Sequence, residues 1–344
     1  MPQKTLQPEE AHEFSEPVTL ELVGKRAGVS RSTVSRVINN APGVSRAASE
    51  AVLNAISELG YIPNRSAQSL ATKRAAVVTA LIPERVQRVF GDPFFGTIID
   101  GIDSYLNDTD LILNLMLTSN DSFGKALSYL AGGQSDGVLV LSHHCSHSLV
   151  QALESRVPVV YGGRPATDAE MRTYVDVDNV EGGRKAARYL ASLGLKRIGM
   201  IGGSPDMLSA SDRLQGFKEV MGEEGRLGPI EMGDYSAASG KDAARRLLER
   251  GEAFDGLFVA NDLMARAAVG VFRAAGLSVP GDVAVVGFDD SVEATSVHPY
   301  LTTIRQDPFL QGRKMAELLS ERLQGAASPK SIRLPTELIV RESA

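Results

Sequence analysis

The sequence predicts a two-part molecule: a small all-α head carrying a helix-turn-helix, then an α/β core of two lobes, each a doubly wound parallel sheet. Three observations carry this reading. Between Thr19 and Gly60, capping residues and apolar spacings mark short helices and nothing strand-like. From residue 75 onward, short apolar runs rich in Val, Ile and Leu alternate with amphipathic stretches, the pattern of successive βαβ units. That second region spans roughly 270 residues, more than one comfortable domain, so it divides into two similar lobes.

Residues 1–17 hold prolines, four glutamates and little to bury, and read as a flexible extension. Thr19 is the expected N-cap of a helix running towards Arg26, and Ala27-Gly28-Val29 is a turn in which Gly28 can take a positive φ. Ser30 caps a second helix ending near Asn39, and Ser45 caps a third that stops at Gly60. After Tyr61-Ile62-Pro63, the stretch Asn64–Ala71 is helix-prone but only about two turns long, which is marginal alone in water. Strands are expected at Val77–Ile82, Leu111–Leu117, Gly137–Leu141, Val157–Tyr161, Tyr174–Val177, Ile198–Gly202, Gly256–Val259 and Val283–Phe288, and at the closing Thr336–Ala344. Helices are expected near 95–106, 122–131, 180–193, 210–222, 239–250, 262–275 and 309–323.

Composition narrows the function classes. The hydrophobic content of 43% supports sizeable cores. The single Cys145 allows no intramolecular disulfide and fits a reducing compartment. No apolar signal segment opens the chain, and the longest apolar runs, such as Ala75–Ile82, are strand-length, so a cytoplasmic protein without a membrane span is expected. The net charge of −6 is unevenly spread: residues 18–74 carry eight Lys and Arg against three Glu, whereas residues 75–344 sum to −8. A basic head on an acidic body is the footprint of nucleic-acid binding.

The second helix specifies how the DNA would be met. Val34, Val37 and Ile38 form an apolar stripe expected to pack on the first helix through Leu22 and Val23. The opposite face carries Arg31, Ser32, Ser35, Arg36 and Asn39, a row of donors and small polar groups able to lie in a major groove, and Thr19 and Thr33 are counted with them. The order Val18-Thr-Leu…Ala27-Gly-Val-Ser-Arg-Ser-Thr-Val-Ser-Arg-Val-Ile-Asn39, then Val44-Ser45, then Gly60-Tyr-Ile-Pro-Asn-Arg-Ser-Ala-Gln-Ser-Leu70 closely resembles the head and hinge of the LacI/GalR family of transcription repressors, and the likeness extends over about residues 18–342. The resemblance implies a head over 18–62, a hinge helix and linker over 63–74, and a periplasmic-binding-protein-like core over 75–344. Its N-lobe would comprise about 75–177 and 306–334, and its C-lobe about 178–305 and 335–344. It further implies that the hinge folds when two subunits pair over an operator, with Asn64, Arg65 and Ala67 at the DNA. Leu70 would be wedged into the central minor-groove step, where unstacking yields a kink.

Open α/β sheets bind ligands beyond their strand C-termini. Phe90, Asp92, Phe94 and Phe95 follow the first strand; Arg164, Asp206, Asn261 and Asp289 follow later ones. Such a cleft suits a sugar, since paired polar groups bind hydroxyls and rings stack on C–H faces. The resemblance assigns ligand contact to Arg213, Tyr235, Asn261, Asp289 and Gln306. Bland roles stand beside these: Asp262 and Asp290 as caps or structural partners, Asn179 as an N-cap, and Tyr235 as a cover at the cleft edge.

His143-His144-Cys145-Ser146-His147 has metal-ligating residue types, but adjacent ligands do not readily close a tetrahedron, so no metal and no cofactor is expected. His143 or His144 can instead face the cleft. An enzyme on a doubly wound fold is the competing class, yet no Gly-rich phosphate loop follows the first strand and no Gly-x-Ser-x-Gly elbow occurs. A periplasmic sugar-binding protein would share the core but not the head. Val160-Tyr-Gly-Gly-Arg-Pro165, Tyr174–Gly183 and Asp206–Phe217 look similar to actinobacterial repressors of cellulose-utilisation genes that respond to cellobiose; maltose, or a β-glucoside other than cellobiose, stays open, as does a corepressor. With no leucine-heptad tail after Thr336–Ala344, a homodimer is expected.

Overall fold

The computed structural model describes residues 18–39, 41–62, 74–118, 123–144 and 152–344. The expected contacts at Asn64, Arg65, Ala67 and Leu70, the extension 1–17, and Cys145 and His147 lie outside them. Contacts divide the chain into two compact units between residues 73 and 74.

The head holds α1 (Leu20–Ala27), α2 (Arg31–Ile38) and α3 (Arg46–Leu59). Each starts on a hydroxyl that accepts an otherwise orphaned N–H: Thr19 from Leu22 at 3.3 Å, Ser30 from Thr33 at 3.2 Å and Ser45 from Ala48 at 3.3 Å. Gly28 and Gly60 close α1 and α3 at φ 69° and 61°, a left-handed conformation that side chains with a Cβ resist. Val23, Val34, Val52, Ala55 and Tyr61 form the buried core. The expected packing of α2 on α1 needs one correction. Val23 is buried but Leu22, about 100° further round the helix, is 45% exposed. Gly24 makes the close approach, because a Cβ there would lie 2.9 Å from the Val29 carbonyl.

The core contains two six-stranded sheets. The first takes β1 (Val77–Ile82), β2 (Ile112–Leu117), β3 (Gly137–Leu141), β4 (Val159–Gly162), β5 (Tyr174–Val177) and the late β11 (Ser331–Leu334), in spatial order β11-β5-β4-β3-β1-β2. The second takes β6 (Ile198–Gly202), β7 (Leu227–Met232), β8 (Gly256–Val259), β9 (Ala284–Asp289), β10 (Thr302–Arg305) and β12 (Glu337–Ile339), in order β12-β10-β9-β8-β6-β7. All neighbours run parallel except β10 and β12. The chain passes between the sheets after β5, after β10 and after β11, so three adjacent segments join the lobes. β7, β10 and β11 were not foreseen, and the closing strand is three residues long.

Helices cover both sheets: α4 (Val86–Gly91), α5 (Pro93–Leu106), α6 (Phe123–Tyr129), α7 (Asn179–Ser192), α8 (Leu208–Glu224), α9 (Ala237–Glu249), α10 (Asp262–Ala274) and α11 (Pro308–Leu323). Each lobe contains one tight crossing made by a pair of glycines. Cβ atoms on Gly101 and Gly312 would lie 2.0 Å from the carbonyls of Phe309 and Ile98, where α5 meets α11. Where α7 meets α8, Cβ atoms on Gly183 and Gly216 would lie 2.3 Å from the Arg213 carbonyl and 2.0 Å from that of Val180. The second crossing brings α8 down on α7 and sets Arg213 at the C-terminal ends of the central strands β8 and β9.

Candidate functional site

β1 and β3 form the switch point of the first sheet, and β6 and β8 that of the second, where strand order reverses. The loops beyond these strands face each other across a cleft of about 730 Å³, its open mouth included. Asp92, Phe94, Arg164, Arg213, Tyr235, Asn261, Asp289 and Gln306 all line it. Phe90 does not. The intervening α4 turns its ring to solvent, 78% exposed, which corrects the expectation that it contacts a ligand. Asp206 also falls outside the lining.

At the floor, Arg213 is 5% exposed. Its Nε donates to Asn179 Oδ1 at 2.9 Å, its Nη1 donates to the Ala260 carbonyl, and its guanidinium lies 3.5 Å from the Phe288 ring centroid. Asp289 stands 3.9 Å from Nη1 and accepts from Gln306 Nε2 at 2.6 Å. Burial pushes the Asp289 carboxyl well above the usual carboxylate range against the opposing pull of Arg213. Asp92 caps α5 by accepting from Phe94 N–H at 3.0 Å, and burial raises its carboxyl too. Asn261 caps α10, accepting from Met264 N–H at 3.0 Å and donating to the Tyr235 carbonyl at 2.9 Å.

Across the cleft, Arg164 uses its side chain to span the lobes, donating through Nη2 to both oxygens of Asp212 at 2.7 Å. Its own N–H donates to Asp176, a buried carboxylate of β5 whose carboxyl burial raises. His143 lines the cleft with Nε2 3.1 Å from the Gly163 carbonyl oxygen, whereas His144 does not line it. Gln311 is also in the lining: Nε2 donates to the Val175 carbonyl at 2.9 Å, and its buried Oε1 has no partner among the described residues. Of six described non-glycine residues at positive φ, three are here, Ser142, Tyr235 and Asp289 at 55°, 71° and 112°. Backbone held in that region is costly and gathers at functional sites.

Sequence reasoning missed Arg88, Asp176 and Gln311 in the lining. Only Asp176 left a local signal, a carboxylate inside the apolar Tyr-Val-Asp-Val strand. Asn179 is not the cap of α7: Asp178 is, accepting from Glu181 N–H at 3.0 Å, and Asn179 braces Arg213 instead. Asp262 and Asp290 are structural partners. Asp262 accepts from Thr303 Oγ1 at 2.6 Å and Ser291 N–H at 2.8 Å, and Asp290 pairs with Arg305 and Arg341. Three carboxyl groups (Asp92, Asp176, Asp289) and three guanidiniums (Arg88, Arg164, Arg213), with Phe94, Phe95 and Tyr235 beside them, give a polar lining with ring faces. Such a lining presents donors, acceptors and ring faces together, as a polyhydroxyl compound requires. Among the described residues no Gly-rich phosphate loop enters it.

In the head, Arg31, Ser32, Arg36 and Asn39 are exposed along α2, with Thr33 and Ser35 half-buried beside them and Thr19 exposed at the start of α1. Arg31 sits in the first turn and pairs with Glu21 at 3.1 Å. Asn39 turns back on its own helix, its Nδ2 donating to the Ser35 carbonyl at 2.9 Å.

Among the described residues no helix is long and apolar enough to cross a membrane. Residues 19–64 match the family model of bacterial regulatory proteins, lacI family, and residues 187–344 match that of the periplasmic binding protein-like domain. The HTH-type transcriptional regulator CelR of Thermobifida fusca is 44% identical over 332 residues, 94% of this chain and 98% of that protein. A solved transcriptional regulator CelR–cellobiose complex superposes with a TM-score of 0.76 at 42% identity, covering 95% of this chain and all of that one. The lac repressor dimer bound to operator and the anti-inducer ONPF superposes at 0.85 and 29% identity, covering 95% of this chain and 99% of that one. A capped helix-turn-helix, a polar cleft between two doubly wound lobes and relatives matched nearly end to end agree: the chain belongs to the lacI family of bacterial regulatory proteins, a DNA-binding transcriptional regulator and not an enzyme.

Proposed function

We propose that this repressor works in the cytoplasm as a homodimer on palindromic double-stranded operator DNA, and that cellobiose or a related cello-oligosaccharide releases it. The buried Arg213–Asp289–Gln306 set at the strand ends of the second sheet carries this reading. Arg213 supplies donors and Asp289 acceptors for sugar hydroxyls, and Phe94 and Tyr235 supply ring faces. Asp92, Arg164, Asn261 and Gln311 complete the polar lining. Likeness to a regulator solved with cellobiose supports the choice of sugar. Sugar draws the two lobes together, the N-lobes of the dimer rotate, and the paired hinge segments 63–74 part. A coupling of about 1–3 kcal/mol, the usual scale for one effector, then loosens the operator.

Operator affinity followed by fluorescence anisotropy across a cellobiose titration tests the sign. Weakening is expected, and by reciprocity the operator weakens cellobiose binding by the same factor. Tightening would make the sugar a corepressor, and no change with cellobiose would remove it as the effector.

A further inference from the structure

His144 follows β3 in the N-lobe, yet it reaches across the cleft rim. Its Nδ1 lies 2.7 Å from Asp206 Oδ2, in the loop after β6 of the C-lobe, and its Nε2 lies 3.2 Å from Glu84 Oε1, after β1. Arg88 of α4 shares that Glu84 oxygen at 3.3 Å and donates to the Asp234 carbonyl of the C-lobe. Ser142 donates to Glu84 at 2.7 Å, and Ser204 donates to the other oxygen of Asp206 at 2.7 Å, which holds both carboxylates in place. None of Glu84, His144 and Asp206 lines the cleft, so the sugar site does not account for them.

We propose that His144 is a proton-dependent clasp between the lobes, so that acidification favours the closed core and sensitises the repressor to its sugar. An imidazole lodged between two carboxylates holds both only when both ring nitrogens carry protons. Neutral His144 has one N–H and must leave one carboxylate facing a lone pair. The titratable and charged groups facing it among the described residues are Glu84 and Asp206, with Arg88 on the same Glu84 oxygen and His143 next to it in the chain. The hydrogen bond to Glu84 raises the His144 pKa most, burial opposes it, and Asp206 adds to the rise. Opening the cleft removes Asp206 but leaves Glu84, so the closed core has the higher His144 pKa. A raised pKa in the closed form means closure is favoured most fully below the open-form pKa and loses that advantage as pH rises through the closed-form value. The device rests on the sugar-binding reading above for its consequence, but not for its existence.

Two measurements on the full-length chain test it. Followed by NMR with and without cellobiose, the His144 titration should move down in at least one of the two states when Asp206→Asn removes the C-lobe carboxylate; a titration unchanged in both overturns the clasp. In calorimetry, cellobiose should bind about three- to tenfold tighter at pH 6 than at pH 8, since one unit of pKa difference is about tenfold. Binding should also take up protons, seen as a heat that varies with buffer ionisation enthalpy. Asp206→Asn and His144→Gln should both reduce the pH effect to less than about twofold while still binding cellobiose. Wild-type binding with no pH dependence overturns the proposal. Absence of cellobiose binding at every pH would instead overturn the effector assignment, leaving the NMR titration to decide the clasp.

Discussion

The head and the cleft use polar side chains in opposite ways. On α2 the residues assigned to DNA stand off the fold: Arg31 is 68% exposed, and the five buried residues that hold the head together lie on other faces. In the cleft the residues assigned to sugar are part of what holds the lobe together. Arg213 braces Asn179 and Ala260, Asn261 caps α10, and Gln306 ties Asp289. A partner as large as DNA is met by a surface, where recognition and folding separate. A small ligand must be enclosed, so its contacts become core. Substitutions should therefore divide cleanly in the head and overlap in the cleft.

The largest expected effect is at Arg213. Arg213→Ala strips the cation from a buried set, and breaking such a pair costs about 3–5 kcal/mol. Burial already favours a neutral Asp289, which places the expectation near the lower end. Thermal unfolding should shift down by several degrees and the cellobiose response should vanish. Asp289→Asn, which keeps the shape and avoids the buried charge, should lose the response with a smaller shift. An Arg213→Ala protein with wild-type melting and DNA binding that merely ignores cellobiose would break the comparison, because the cleft would then behave like the head.

Arg31→Ala is the matching test in the head. It should weaken operator binding by ~1–3 kcal/mol and relax preference at one base pair, with the melting temperature unmoved. A fall in stability equal to that of Arg213→Ala would show that the α2 surface is structural after all.

The same contrast explains what could be read from the sequence. The head was legible because its determinants are local: Thr19, Ser30 and Ser45 cap the helices they precede, and Gly28 and Gly60 end them. The central strands β3, β6 and β8 were legible because both faces are covered and the runs are continuously apolar. β7 was hidden by Gly228-Pro229 at an edge, and β11 is an edge strand with exposed Ser331 and Arg333. The cleft residues were named from strand ends and resemblance, but their partners were not. Arg164 meets Asp212 and Arg213 meets Asn179, 48 and 34 residues away, and no local pattern encodes such pairs. The Asp178 cap was missed by one residue, since Asp and Asn serve that position about equally.

The smallest expected effect concerns how free the head surface really is. Arg31 Nε lies 3.1 Å from Glu21 Oε1, and both side chains are mostly exposed. We expect the guanine edge to draw Arg31 away from that carboxylate. Exposed ion pairs are worth about 0.2–1 kcal/mol, so Glu21→Gln should tighten operator binding by no more than that. Removing a carboxylate near phosphates would also tighten binding, by a route that does not involve Arg31 and that salt screens. A double-mutant cycle separates the two. If the pair restrains Arg31, the gain from Glu21→Gln disappears in an Arg31→Ala background; if only the general field matters, the gain is the same in both backgrounds and falls as salt rises. The first outcome would mean that the head, too, holds one recognition side chain by a contact of its own fold, and would move Arg31 a short way towards the behaviour of Arg213.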